Sequence, residues 1–134
     1  AKALIHDGWS LHWRWRSPAT PGPYTFILEA TKEVPRRLSH PSRRTIGLRV
    51  PAHKVAQALL DELGQPLLAT TLIAPGETEP MNDAEDILVR YQKLIAGVVD
   101  AGACPMAPTT EIDLSGDTPV LVRQGRGDLA RLGL

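Results

Sequence analysis

Between Lys32 and Lys54 the chain carries seven basic side chains (Lys32, Arg36, Arg37, Arg43, Arg44, Arg49 and Lys54) against one acid, Glu33. His40 and His53 fall in the same stretch. Cations at that density attract phosphate, whether of a nucleotide or of a nucleic-acid backbone. The competing interpretation is a solvated basic loop that keeps the protein in solution. Residues 55–120 hold eleven acids against Arg90 and Lys93. The totals of 15 Lys+Arg and 15 Asp+Glu cancel, so the asymmetry is visible only in where the charges fall.

Five polar patches could supply the rest of a phosphate site. They are Pro21–Thr25, Arg43–Arg49, Ala69–Thr71, Pro108–Thr110 and Arg123–Gly125. Each borders a β-prone run. In open α/β sheets ligands sit beyond strand ends, held by hydroxyls, backbone amides and a few cations. Guanidinium and hydroxyl groups suit a phosphate or a small zwitterion. Threonine is also common in strands for packing alone, so the pattern by itself leaves both readings open.

Other chemistries find less support. No Gly-x-x-x-x-Gly-Lys-Ser/Thr string is present, which removes a Walker-type phosphate cradle. No Gly-x-Ser-x-Gly string marks a nucleophile elbow, and Cys104 has no histidine near it in sequence. The single cysteine forms no internal disulfide, so a reducing compartment, the cytoplasm, is expected. The pairs His6 and His12, or His40 and His53, lack zinc-ligand spacing, and no metal site is read. Asp83, Glu85 and Asp86 read as acids complementing a helix start. No apolar run reaches the ~18 residues of a membrane span.

These residues need elements to position them. Tyr24–Leu28 is β-branched and aromatic and reads as a buried strand. Pro35 and Pro41 break the basic connection, leaving room for a short helix from Pro35. Thr45–Val50 is a second strand, and Pro51 can open a helix. Val55, Ala56, Leu59, Leu60 and Leu63 share one helical face, and Gly64 stops it. Leu67–Thr71 reads as a third strand. Asn82 with Glu85 forms a capping box for a helix whose stripe runs through Ala84, Ile87, Leu88, Tyr91, Leu94 and Ile95. Val98–Asp100, Glu111–Leu114 and Val120–Arg123 are short strands, the last two joined through Gly116-Asp117. The Trp13–Arg16 alternation suggests an exposed strand, and Leu129–Leu134 a leucine-rich tail. The order predicts an α/β fold with a twisted, open mixed sheet and flanking helices.

Three strings carry a resemblance: PGPYTFILEATKEVPRRL (21–38), RRTIGLRVPAHKVAQALLDELGQPLLATT (43–71) and PTTEIDLSGDTPVLVRQGRGD (108–128). Together they resemble the threonylcarbamoyl-AMP synthase family, the YrdC-like domain proteins. LLATTLIAPG (67–76) looks more like the YciO branch. The resemblance implies a YrdC-like (DHBP synthase-like) domain over 21–128, an atypical segment 1–20 and a tail 129–134. It implies ATP and Mg²⁺ as cofactors, L-threonine as a ligand and double-stranded RNA or tRNA as a partner. By matching position, Arg49 lies at the threonine or phosphate pocket. Thr70 and Thr71 match a hydroxyl pair at the nucleotide, Thr110 a substrate-holding hydroxyl, and Arg123 the arginine of an Arg-x-Gly string near the phosphates. Pro23 and Thr25 shape the cleft wall. Arg36, Arg37, Arg43 and Arg44 are the candidate RNA contacts.

Two positions depart from the family pattern. Ile73 stands where the synthases carry a nucleotide-contacting asparagine, and an alkyl side chain cannot replace an amide's hydrogen bonds. Residues 1–20 contain no Lys-x-Arg motif. The chain reads as the C-terminal two-thirds of the domain joined to an unrelated start. The expectation is a YciO-type protein binding a nucleotide and double-stranded RNA, with little or no synthase activity. The alternatives are an active L-threonylcarbamoyladenylate synthase and an inactive structural piece of the domain.

Overall fold

Alternation with period two is what a strand needs to bury one face, and residues 24–29 show it: Tyr24, Phe26 and Leu28 are buried while Thr25 and Ile27 are half-buried. In the computed structural model, which describes residues 19–134, this run is the central strand β1 (Tyr24–Glu29). The Trp13–Arg16 alternation, His6 and His12 lie outside the described residues. Three further strands join β1: β2 (Thr45–Leu48), β3 (Thr110–Asp113) and β4 (Val120–Arg123). The sheet order is β2-β1-β3-β4. β1 pairs antiparallel with β2, through Phe26 with Leu48, and parallel with β3, through Tyr24 with Thr110. β3 and β4 are antiparallel. The expected open mixed sheet is therefore present, with two helices, α1 (Lys54–Leu63) and α2 (Ala84–Tyr91).

Register sends the two faces of the sheet to different environments. Tyr24, Phe26, Leu28, Ile112 and Leu114 form an apolar core with Ala19, closed by Leu132 from the 3-10 turn Leu129–Leu132. Burial of each large side chain stabilises by roughly 1.5–3 kcal/mol. The Tyr24 and Phe26 rings stack with centroids 6.0 Å apart. The leucine-rich C-terminal segment is thus part of the core. The other face carries Thr25, Glu111 and Asp113.

The chain divides into two compact units. One comprises the residues up to Pro66 together with Pro108–Leu134, and holds the sheet and α1. The other is Leu67–Ala107 and holds α2. In the first, α1 begins at Lys54, three residues beyond Pro51, and ends where Gly64 adopts φ 66° and its N–H bonds the Leu60 carbonyl at 2.9 Å. That left-handed position is why a glycine stands there. In the second, Asp83 is the N-cap of α2, accepting from the Asp86 amide at 2.9 Å. Asn82, expected in that role, instead exchanges two 2.8 Å hydrogen bonds with the backbone of Cys104. α2 ends at Tyr91, and Leu94 and Ile95 continue it only as a tight turn onto the Tyr91 carbonyl.

Two expected strands are absent among the described residues. Leu67–Thr71 and Val98–Asp100 have strand-like composition but no regular ladder. A strand requires a neighbouring backbone, and neither segment forms a ladder with one. Leu67 and Leu68 are accordingly 59% and 75% exposed. Leu28→Ala should therefore lower unfolding free energy by about 2–5 kcal/mol, while Leu68→Ala should stay within about 0.5 kcal/mol of wild type. Denaturant melts of the two variants check this, and equal losses would contradict the burial difference.

Candidate functional site

The site is built on the segment after β4. Thr110 is fully buried, and its Oγ1 donates to the Gly127 carbonyl at 2.8 Å. The same oxygen accepts from the Gly125 amide at 3.0 Å and the Gly127 amide at 2.8 Å. One hydroxyl thereby uses its donor and both lone pairs on a single loop. The Arg126 amide donates to the Pro108 carbonyl at 3.0 Å, and the Tyr24 hydroxyl donates to the Asp128 carbonyl at 2.9 Å. A Cβ at Gly125 would overlap the Pro108–Thr109 backbone, and one at Gly127 would overlap the Tyr24 ring. The two glycines allow the loop to lie flat on the head of β3.

The polar face at this end is organised by a pair of hydroxyls. Thr25 and Thr109 share a 2.8 Å hydrogen bond. Arg123 reaches the same point from β4. Its Nε and Nη2 donate to the Thr109 carbonyl at 3.3 Å each, and Nη2 lies 3.2 Å from Glu111. A β-bulge makes this geometry. Asp113 pairs with Val120 and Ile112 with Leu121, but Glu111 pairs with Arg123, so Val122 is the extra residue. In a regular ladder Val122 itself would stand opposite Glu111.

Arg49 follows β2 directly. The ladder ends one residue earlier, at the Phe26–Leu48 pair, and beyond it the Gly22 amide donates to the Val50 carbonyl at 2.8 Å, out of that register. Partial burial of its guanidinium, and then the nearby charge of Arg126, push the Arg49 pKa below the ordinary arginine value. Arginine stays charged at neutral pH regardless. Desolvation is the larger cause, and the charge of Arg126 the smaller one.

The basic connection forms a separate feature. Lys32, Arg36, Ser39 and Arg44 line an open hollow of ≈ 260 Å³. Arg37 is exposed nearby, on the 3-10 turn Arg36–Leu38. Arg43 lies 4.0 Å from Asp113. Arg44 has φ 53°, an uncommon conformation for a side-chain-bearing residue. The His40 Nδ1 accepts from the amides of Ser42 and Arg43 at 3.3 and 3.2 Å, which shapes the turn before β2.

Of the five nucleotide candidates, the sheet unit holds Arg49, Thr110 and Arg123, all around the heads of β1 and β3. Thr110 faces the core side and Arg123 the polar side. Thr70 and Thr71 are exposed in the second unit, on the extended segment before Ile73. Sequence reasoning had Thr109 only within the Pro108–Thr110 patch and gave no role of its own to it or to Arg126. The signal for Arg126 was the Gly-Arg-Gly spacing, two small residues bracketing a cation. Among the described residues no three His, Cys, Asp or Glu side chains gather as a metal site, and no helix is long and apolar enough to cross a membrane.

Comparison with known proteins gives these features a context. A family model named for Sua5, YciO and YrdC, described as telomere recombination, matches residues 5–125, taking in most of the segment that reads as atypical. YciO of Escherichia coli, an uncharacterized protein, is 52% identical over 110 residues, covering 82% of this chain and 53% of that one. Its crystal structure superposes with a TM-score of 0.84, covering 97% of this chain and 62% of the other. A threonylcarbamoyl-AMP synthase of Pyrococcus abyssi is 30% identical over 106 residues, covering 78% of this chain and 31% of the enzyme. The crystal structure of P. abyssi Sua5 complexed with L-threonine superposes with a TM-score of 0.80 at 25% identity, covering 92% of this chain and 36% of that one. The chain spans about half the length of the curated YciO relatives it matches.

The Thr110 clamp makes a prediction of its own. Thr110→Val keeps the volume but strands the buried Gly127 amide and the half-buried Gly125 amide, and should cost about 1–3 kcal/mol. Hydrogen exchange should quicken at Gly125 and Gly127 ahead of the rest of the sheet. Unchanged exchange at both amides would remove the clamp.

Proposed function

The chain belongs to the Sua5/YciO/YrdC family, related to the threonylcarbamoyl-AMP synthases, and from that premise we propose that it contributes the nucleotide- and double-stranded-RNA-binding part of a YciO-type protein. The observation that carries this reading is the Thr25–Thr109 hydroxyl pair with the Arg123 guanidinium on the Thr109 carbonyl, at the end of the sheet where Arg49 follows β2. Such a set fits phosphate oxygens: the guanidinium forks donate in pairs and the hydroxyls donate singly. The basic hollow of Lys32, Arg36 and Arg44, with Arg37 and Arg43 beside it, supports the RNA half. Phosphate contacts position a duplex without reading its sequence, and double-stranded RNA is recognised mostly by shape and backbone. The reading places the protein with its RNA, in the cytoplasm.

ATP fits the donor set of the sheet unit through its phosphates, with Arg49 as the holding residue, and Thr70 and Thr71 are hydroxyl donors of the second unit taken by itself. The carboxylates of Glu111 and Asp113 already face Arg123 and Arg43. Mg²⁺ would therefore arrive on phosphate oxygens and keep several waters, as Mg²⁺ commonly does.

A second reading, an active L-threonylcarbamoyladenylate synthase, draws on the likeness to the P. abyssi Sua5 structure that holds L-threonine. In that chemistry ATP supplies the α-phosphorus attacked by a carbamate oxygen, with pyrophosphate leaving. This chain's part would be to bind the phosphates and offset their charge. Ile73 contributes no amide, which favours the binding role.

Double-stranded RNA binding by the full chain should weaken steeply with salt, because neutralised phosphates release counterions. Arg36→Glu with Arg44→Glu should weaken it further and flatten the salt slope by about two, roughly one for each phosphate that no longer meets a cation. Unchanged affinity and slope would remove the RNA reading. Pyrophosphate release that depends on both L-threonine and bicarbonate would promote the synthase reading instead.

A further inference from the structure

The turn that leads into β2 is closed through one residue. The His40 amide donates to the Thr45 carbonyl at 2.8 Å, and the His40 carbonyl accepts from the Arg44 amide at 3.0 Å. The ring closes the same turn from the side. Its Nδ1 accepts from the Ser42 amide at 3.3 Å and from the Arg43 amide at 3.2 Å. Pro41, the next residue, has no amide to satisfy. The imidazole thus does for this turn what Ser, Thr, Asp or Asn ordinarily does as a cap. Arg44 leaves the turn at φ 53°, and its carbonyl accepts from the Ala30 amide at 2.8 Å.

A ring nitrogen accepts only through an unprotonated lone pair. Acceptance at Nδ1 places the proton of the neutral ring on Nε2. A second proton, on Nδ1, would convert the acceptor into a donor aimed at two N–H groups. The Ser42 hydroxyl lies 3.2 Å from the same nitrogen and can turn to accept from a charged ring, whereas the two amides cannot. Among the described residues neither amide has another acceptor. The charged side chains around the turn are Arg43 and Arg44 within it, Arg36 and Arg37 on the 3-10 turn before it, Glu29 paired with Thr45 across the β1–β2 ladder, and Asp113 at 4.0 Å from Arg43.

We propose that His40 is a positioning residue that clasps the Arg43–Arg44 turn as neutral imidazole and releases it on protonation, which makes this turn a pH-sensitive element. Imidazole ordinarily exchanges its second proton between about pH 5 and 8, a range in which a hydroxyl, amide or carboxylate cap does not titrate. The two amide bonds are therefore made at neutral pH and lost as pH falls through that range. What the clasp positions is Arg44, which lines the hollow with Lys32 and Arg36, and Arg43 beside Asp113. The clasp is independent of what occupies the hollow.

Nuclear magnetic resonance on the isotope-labelled full chain tests it. Near neutral pH the His40 ring of wild type should carry its proton on Nε2. Between about pH 7.5 and about pH 5.5, solvent exchange of the Ser42 and Arg43 amides, each taken against its intrinsic rate, should quicken at least about threefold, the scale of one weak hydrogen bond. The Phe26 and Leu28 amides of β1 should not respond. His40→Asn, which caps through a carbonyl oxygen, should keep the two turn amides protected at both pH values, and His40→Ala should leave them unprotected at both. A ring proton on Nδ1 near neutral pH overturns the clasp. So does wild-type exchange at Ser42 and Arg43 that ignores the change of pH. An equal pH response in His40→Asn and in wild type also overturns it, because another titrating group would then be responsible.

Discussion

The architecture of the site depends on the buried hydroxyl of Thr110. It lies on the core face of β3, where an unsatisfied polar atom is costly. Its three bonds all go to the Gly125–Gly127 loop, 15 to 17 residues onward. The sheet therefore determines where that loop lies. Glycine at two positions follows from the same contact, because the loop passes too close to Tyr24 and to the Thr109 backbone for a Cβ. Tyr24 serves both sides, its ring in the apolar core and its hydroxyl on Asp128. Core packing and site geometry are thus set by the same few residues.

The two faces of the sheet do different work. One is apolar and closed by Leu132. The other carries Thr25, Glu111 and Asp113 with arginines laid across them. The ion pairs there are partly exposed, and exposed pairs are worth about 0–1 kcal/mol each. Their value lies in geometry. The Glu111 carboxylate and the Thr109 carbonyl together hold the Arg123 guanidinium, and Asp113 lies near Arg43. The second unit has its own logic. There Asn82 closes a loop on Cys104 by mimicking the paired bonds of a neighbouring strand.

Where local chemistry decides, the sequence reads well. Period-two burial marks β1, Gly64 marks the end of α1, and Gly116-Asp117 separates β3 from β4. Where a distant partner decides, it does not. Leu67–Thr71 has the composition of a strand, yet composition cannot report whether a neighbouring backbone is available. Asn82 and Asp83 are both good capping residues, and only the position of Cys104 drew Asn82 away. The candidate site shows the same division. Arg49 and Thr110 were legible beside strong strand signals. Arg126 was given no role, because the support of its loop comes from Thr110 and Pro108, far back in the chain.

Val122, the extra residue of the bulge, works as a parity device. Side chains along a strand alternate between two sides, so the count of residues between the Gly116-Asp117 turn and Gly125 decides whether guanidinium or isopropyl meets Glu111. One residue inserted in Val120–Val122 would put another side chain in place of Arg123 opposite Glu111, whereas loss of Val122 would bring Arg123 there through a regular ladder with no bulge. Length in this short strand is therefore as much a determinant of the site as side-chain identity.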